Sequence, residues 1–159
     1  DLHTAYRRQR QMCIRDSHKH MPQLSNSSIC DELNSVTEKV EKLTNTKMCL
    51  FRPPYGDYNN ALIEQAKNCG YYTIQWDVDS LDWKNYGVEP IVNTVLNHKS
   101  LRNGSIILMH NGAKYTAQAL PKVIEGLQEK GFQIVPISKL IYKDNYHMEP
   151  DGSQVKDGE

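Results

Sequence analysis

Three short stretches carry the residues that could do chemistry. The first is Arg52-Pro53-Pro54-Tyr55-Gly56, which offers a guanidinium, a phenol and a backbone N–H on one loop. Two consecutive prolines cannot continue a strand ladder and hold the backbone stiffly, while Gly56 permits a sharp turn. The second is Trp76-Asp77-Val78-Asp79-Ser80-Leu81-Asp82-Trp83, with three carboxylates between two indoles. The third is His110, at the exit of the apolar run Ile106-Ile107-Leu108-Met109. Together an Arg, a Tyr N–H, several Asp and a His can supply a general acid, its carboxylate partner and an oxyanion donor. Singly, each has a plain structural explanation: a Pro-Pro turn with a surface Arg, an Asp-capped loop, a half-buried histidine. Only convergence would make them a site.

Convergence depends on the elements that hold them. Ile29, Leu33, Val36, Val40 and Leu43 recur at helical spacing, Ser28 with Asp31 is capping-box-like, and Asn45 and Thr46 end the run. A strand is expected over 48–51. Asp57 can cap a second helix bearing Leu62, Ile63, Ala66 and Cys69, which Gly70 stops. β-branched and aromatic content predicts a strand over 71–78. Pro90 suits the first turn of a helix carrying Ile91, Val92, Val95 and Leu96, and 105–110 reads as a strand buried on both faces. Leu120, Val123, Ile124 and Leu127 stripe another helix, closed by Gly131. A last strand is expected over 132–136 and a short helix over 138–142. From Lys143 the chain reads as a frayed polar tail. Strands alternating with helices imply parallel pairing and right-handed crossovers, with the strand ends on one side. Four strands are too few to close a barrel, so an open arc or sheet is expected. No glycine-rich phosphate loop follows any strand, which argues against a nucleotide site.

Composition narrows the classes further. The chain has 159 residues, about one domain, and its 19 basic residues balance its 19 acidic ones. That balance argues against a nucleic-acid or other polyanion partner. No apolar run approaches membrane-spanning length, and no export signal is visible. Cys13, Cys30, Cys49 and Cys69 lack Cys-x-x-Cys spacing, and the last three are expected as small core hydrophobes rather than zinc ligands or a disulfide framework. Nine tyrosines and two tryptophans are a mild hint of sugar-facing surface. Residues 1–15 hold Arg7, Arg8, Arg10 and Arg15 without helical or strand period. They are expected to be foreign to the fold or disordered, making few packed contacts.

Arg52-Pro53-Pro54-Tyr55-Gly56, then Asp79-Ser80-Leu81-Asp82-Trp83, then Leu108-Met109-His110 resemble, in order and spacing, the last three motifs of the polysaccharide deacetylases. This is the NodB-homology group, carbohydrate esterase family four. His18 and the following residues through Ser25 are similar to the tail of that family's His-Ser/Thr-x-x-His metal motif. The resemblance runs over 16–142, leaving 143–159 as a polar tail, and looks closest to bacterial peptidoglycan and chitooligosaccharide deacetylases. It implies the C-terminal part of a distorted (β/α) barrel, with four parallel strands and intervening helices. It also implies hydrolytic removal of an N- or O-acetyl group from a polysaccharide such as peptidoglycan or a chitin-like polymer, outside the cytoplasm or at the cell envelope. The cofactor it implies is a divalent metal, usually Zn2+.

Carried over by motif position, His18 resembles a metal ligand and Arg52 the Arg paired with the catalytic base. The Tyr55 N–H resembles the oxyanion donor. Asp82 resembles the carboxylate that orients the catalytic His, with Asp79 the second candidate. Trp83 resembles the groove wall, Leu108 the acetyl-pocket floor and His110 the acid that protonates the leaving amine. The family's Asp-Asp-Gly motif is absent, and Ile14 stands where its first metal His belongs. The chain is therefore expected to be an N-terminally truncated, inactive piece of such an enzyme. The alternative is a non-catalytic carbohydrate-binding relative.

Overall fold

The structure, a computed structural model, describes residues 12–13 and 20–158. It divides into two compact units, Asp1–Gln75 and Trp76–Glu159. Residues 1–11 and 14–19, His18 among them, lie outside the described residues, and so does Glu159.

In the first unit the helical stripe forms α1 (Asn26–Thr44), burying Ile29, Leu33 and Thr37. Its cap is Ser25, whose hydroxyl accepts the Ser28 N–H at 3.3 Å, three residues earlier than the expected box. Asn45 closes it in the left-handed region at φ 52°. β1 (Met12–Cys13), β2 (Leu50–Phe51) and β3 (Tyr72–Thr73) form a three-stranded parallel sheet in that order. Met12 and Cys13, within the stretch read as foreign, thus pair with Leu50 and Phe51. α2 (Asn60–Asn68) is capped by Asn59 rather than Asp57, through a 2.9 Å bond from the Leu62 N–H. The helices and sheet close over Met21, Ile29, Leu33, Met48, Phe51, Leu62, Ala66 and Tyr71. The Tyr71 hydroxyl is satisfied within that core, 2.6 Å from Thr37 Oγ1 and donating to the Leu33 carbonyl at 3.2 Å.

Cys30 and Cys69 are not the separate core thiols expected. They form a disulfide between α1 and the C-cap of α2, with Cα atoms 5.8 Å apart. Spacing in sequence could not show this, because the pairing is made by the packing of two helices. Cys49 is an exposed free thiol.

The second unit is built on β4 (Val78–Asp79) and β5 (Ile107–Leu108), paired in parallel. α3 (Val88–Leu96) and α4 (Thr116–Glu129) pack on them around Val78, Ile91, Val92, Val95, Ala119, Val123 and Leu127. At Gly126 α4 packs tightly on α3, since a Cβ there would collide with the Leu96 side chain. A short helix α5 (Ile137–Leu140) follows. The tail expected to fray instead makes an antiparallel hairpin of β6 (Tyr146–Met148) and β7 (Gln154–Lys156).

The barrel expectation is overturned. Among the described residues the chain is α/β, with its strands in three separate small sheets, none of which closes into a barrel. The expected strand over 71–78 is two strands in two sheets, β3 and β4, broken by 74–77. Residues 132–136 form no strand. They run beside a cavity of about 590 Å³ lined by Ile106, Ile107, Leu120 and Ile124, with Ile134 and Val135 exposed. Apolar alternation favours a strand only where a neighbouring ladder satisfies its backbone.

Candidate functional site

In the first unit, β2 delivers the chain into the Arg52-Pro53-Pro54-Tyr55-Gly56 loop. The Phe51 carbonyl accepts the Ile74 N–H at 2.7 Å, and the ladder stops there because the prolines have no N–H. Pro54–Gly56 turns tightly, closed by the Gly56 N–H to the Pro53 carbonyl at 3.2 Å. Tyr55 sits at φ 60°, ψ 4°, left-handed backbone that a non-glycine residue adopts only when its surroundings impose it. The residue is 65% exposed. The ring stacks on His20, with centroids 5.1 Å apart and an interplanar angle of 21°. His20 Nδ1 lies 2.9 Å from Asp57 Oδ2, so a bracket of His20 and Asp57 holds the loop from both sides. Arg52 is half-buried, and burial draws its pKa below the usual guanidinium value.

In the second unit, β4 ends at Asp79, which accepts the Leu81 N–H at 2.9 Å through Oδ1. That bond places Leu81 in the left-handed region at φ 54° and turns the chain inward. Asp82 follows with its side chain wholly buried. Its Oδ2 accepts the His110 backbone N–H at 2.7 Å and the Thr116 hydroxyl at 2.6 Å. Its Oδ1 faces His110 Nδ1 at 2.7 Å. Burial alone would raise the Asp82 pKa. The His110 N–H, the Thr116 hydroxyl and the His110 ring outweigh it and hold the carboxyl below its ordinary value. An ionised carboxylate only accepts, so His110 Nδ1 must be the donor. Nε2 is then the nitrogen left to exchange a proton with a ligand. The His110 side chain is 38% exposed, which gives it access.

The remaining expected residues divide by unit. Arg52 and Tyr55 belong to the first; Asp79, Asp82, Trp83, Leu108 and His110 belong to the second. Of the two candidates for the partner of His110, the structure pairs Asp82; Asp79 is occupied with the Leu81 turn. Asp77 ties the two strands, accepting the Ser105 hydroxyl and the Ile106 N–H at 2.9 Å each. Trp83 is 53% exposed, with Lys84 Nζ 5.2 Å from its ring centroid. Leu108 is buried on β5 beside Asp79. Thr116 and His20 were not singled out by sequence. His20 lies close to motif residues in the chain, but nothing marked Thr116 beyond its place at a helix start.

His18 lies outside the described residues, and among the described residues no group of three or more His, Cys, Asp or Glu could hold a metal ion. The described residues therefore do not fit the zinc that the resemblance implies. No described helix is long and apolar enough to cross a membrane.

Known proteins agree with the motif resemblance. The polysaccharide deacetylase family model matches residues 3–74, a span reaching through β1, β2 and the Arg52–Tyr55 loop. A peptidoglycan-N-acetylglucosamine deacetylase of Bacillus cereus is 41% identical over 97 residues, 58% of this chain and 45% of that protein. A bifunctional xylanase/xylan deacetylase of Cellvibrio japonicus is 34% identical over 116 residues, 72% of this chain and 17% of that protein. Among solved structures, the wild-type carbohydrate esterase family four pseudoenzyme BA3943 of Bacillus anthracis superposes with a TM-score of 0.70 at 31% identity, covering 77% of this chain and 43% of that one. The chain spans less than half the length of these curated relatives. Family motifs in register in both units, and the same family among relatives and solved structures, lead to one assignment: the chain belongs to the polysaccharide deacetylases of carbohydrate esterase family four.

Proposed function

We propose that the protein containing this chain hydrolytically removes acetyl groups from an N-acetylated, or O-acetylated, polysaccharide, with peptidoglycan or a chitin-like amino-sugar polymer as the favoured substrate. The observation that carries this reading is the buried Asp82 carboxylate bonded to His110 Nδ1, which leaves Nε2 to act on a ligand. Expulsion of an amine from a tetrahedral adduct needs a proton, and an imidazole oriented by a carboxylate is suited to give it. In this reading His110 is the acid and Asp82 orients it. Arg52 pairs with the base, and the Tyr55 N–H faces the developing oxyanion. Trp83 walls the sugar groove, Leu108 floors the acetyl pocket and Asp79 shapes the turn between them.

The family's divalent metal, usually Zn2+, would supply an activated water, with His18 as one ligand. The described residues do not assemble its ligands. The chain alone is a piece of that enzyme and is expected to bind zinc weakly and to release no acetate. A cell-envelope or other extracytoplasmic location fits this function. The Cys30–Cys69 disulfide supports it, since such bonds persist in oxidising compartments.

The test is acetate release from N-acetylglucosamine oligomers by the full-length gene product, followed by NMR. His110→Ala should lower kcat by about 10²-fold or more with little change in KM. Near-normal kcat in that variant would remove His110 from the acid role. A second reading, a non-catalytic carbohydrate-binding relative, is favoured by the likeness to a pseudoenzyme. Oligomer binding without acetate release by the zinc-saturated full-length protein would select it.

A further inference from the structure

We infer that Thr116 is a positioning residue for the Asp82–His110 pair, tying the amino end of α4 to the carboxylate that orients the imidazole. Thr116 is the first residue of α4, and no side chain caps that helix. Just after the cap residue Tyr115, a threonine hydroxyl can bond locally to the backbone. Here its hydroxyl goes instead to Asp82 Oδ2, at 2.6 Å and 34 residues away in sequence.

The geometry explains what that bond accomplishes. A carboxylate can rotate about its last side-chain bond, and a rotated Asp82 would offer the imidazole the wrong lone pair. Two donors converge on Oδ2, the His110 N–H at 2.7 Å and the Thr116 hydroxyl. Together they fix the carboxylate plane and leave Oδ1 to His110 Nδ1. Contact with Thr116 also places the carboxylate at the amino end of α4, where the helix dipole favours negative charge. His110 is the charged or titratable group that faces Asp82. The Thr116 hydroxyl bonds to Asp82, so it would act on the proton at Nε2 through that carboxylate. Its catalytic significance rests on the deacetylase reading above; its structural link does not.

The experiment reads the His110 ring nitrogens by NMR in the 15N-labelled chain. In wild type, neutral His110 should be mainly the Nδ1–H tautomer. Thr116→Val should lower the ratio of Nδ1–H to Nε2–H by about threefold or more, as loss of one hydrogen bond implies. Thr116→Ser should keep the wild-type ratio. A folded Thr116→Val with an unchanged ratio would overturn the proposal. Should that variant fail to fold, the wild-type chain decides. A Thr116 hydroxyl proton that exchanges slowly and gives a cross-peak to the His110 amide proton supports the link; a fast-exchanging one with no cross-peak defeats it. None of these readouts needs turnover, so they stand if the enzyme assay fails. In an active full-length protein, Thr116→Val should lower kcat and leave KM unchanged.

Discussion

The two units secure their loops by different means. The first uses a covalent cross-link and an imposed backbone: Cys30–Cys69 joins α1 to the end of α2, and Tyr55 is held left-handed between the prolines and the His20–Asp57 bracket. The second has no disulfide. Its loop is turned by Asp79 and anchored by a buried carboxylate with three hydrogen-bond partners. A disulfide acts largely by limiting the unfolded chain, whereas a buried carboxylate is stabilising only while every partner is present. The first anchor should therefore tolerate small local changes, and the second should not.

Reducing the disulfide should have the largest effect. Its partners are 39 residues apart, and the chain-entropy estimate for that loop is about 4 kcal/mol. Loss of protection should be confined to the first unit, as amide exchange with and without reductant would reveal. Both tryptophans, Trp76 and Trp83, lie in the second unit, so their fluorescence should scarcely respond. An equal loss in both units would mean that they do not unfold separately.

Asp82→Ala comes next, at about 3 kcal/mol, because it strands the His110 N–H and the Thr116 hydroxyl without their acceptor. Tryptophan fluorescence during urea unfolding reads this directly. A loss below about 1 kcal/mol would show that water replaces the carboxylate at little cost.

Acid should separate the units more gently. The folded pKa of Asp82 is lowered, so its contribution is fully present above the unfolded carboxyl value and fades as pH falls through the lowered folded one. The second unit should hold its stability down to about pH 4 and lose part of it below. Stability that instead declined from pH 7 to 5 would point to another group.

The smallest effect tests the imposed backbone. Tyr55→Val puts a β-branched residue at φ 60° and should cost about 1 kcal/mol, while Tyr55→Gly should be neutral or stabilising. Equal effects of the two would mean that the side chain, not the backbone, is what the loop holds.

Much of this was legible in the residues. The stripe of α3 matched its buried face, as did Ile29 and Leu33 of α1 and Val123 and Leu127 of α4, whereas Leu43, Leu120 and Ile124 are exposed; Gly70 stands after α2 in the left-handed region at φ 86°. Helices carry such signals locally. The sheets do not, because a strand exists only where another chain segment meets it. That is why 71–78 split between two sheets and 132–136 joined none. Motif position put Asp82 ahead of Asp79, but the residues alone gave no physical reason for that order. Both are aspartates beside one turn, and only burial and partners separate them. The disulfide was misread because thiols 39 residues apart carry no local mark of their pairing.

That cross-link also decides how the first unit would respond to being pulled. Tension applied along the backbone from either end passes through the sulfur–sulfur bond and bypasses everything between Cys30 and Cys69. The hidden segment contains the whole Arg52–Gly56 turn and would hold back about 130 Å of extended contour. In a force spectrometer the oxidised chain should extend short by that length, and the deficit should vanish on reduction. The first unit could thus be stretched on either side of its arginine–tyrosine turn while the turn itself carried no load.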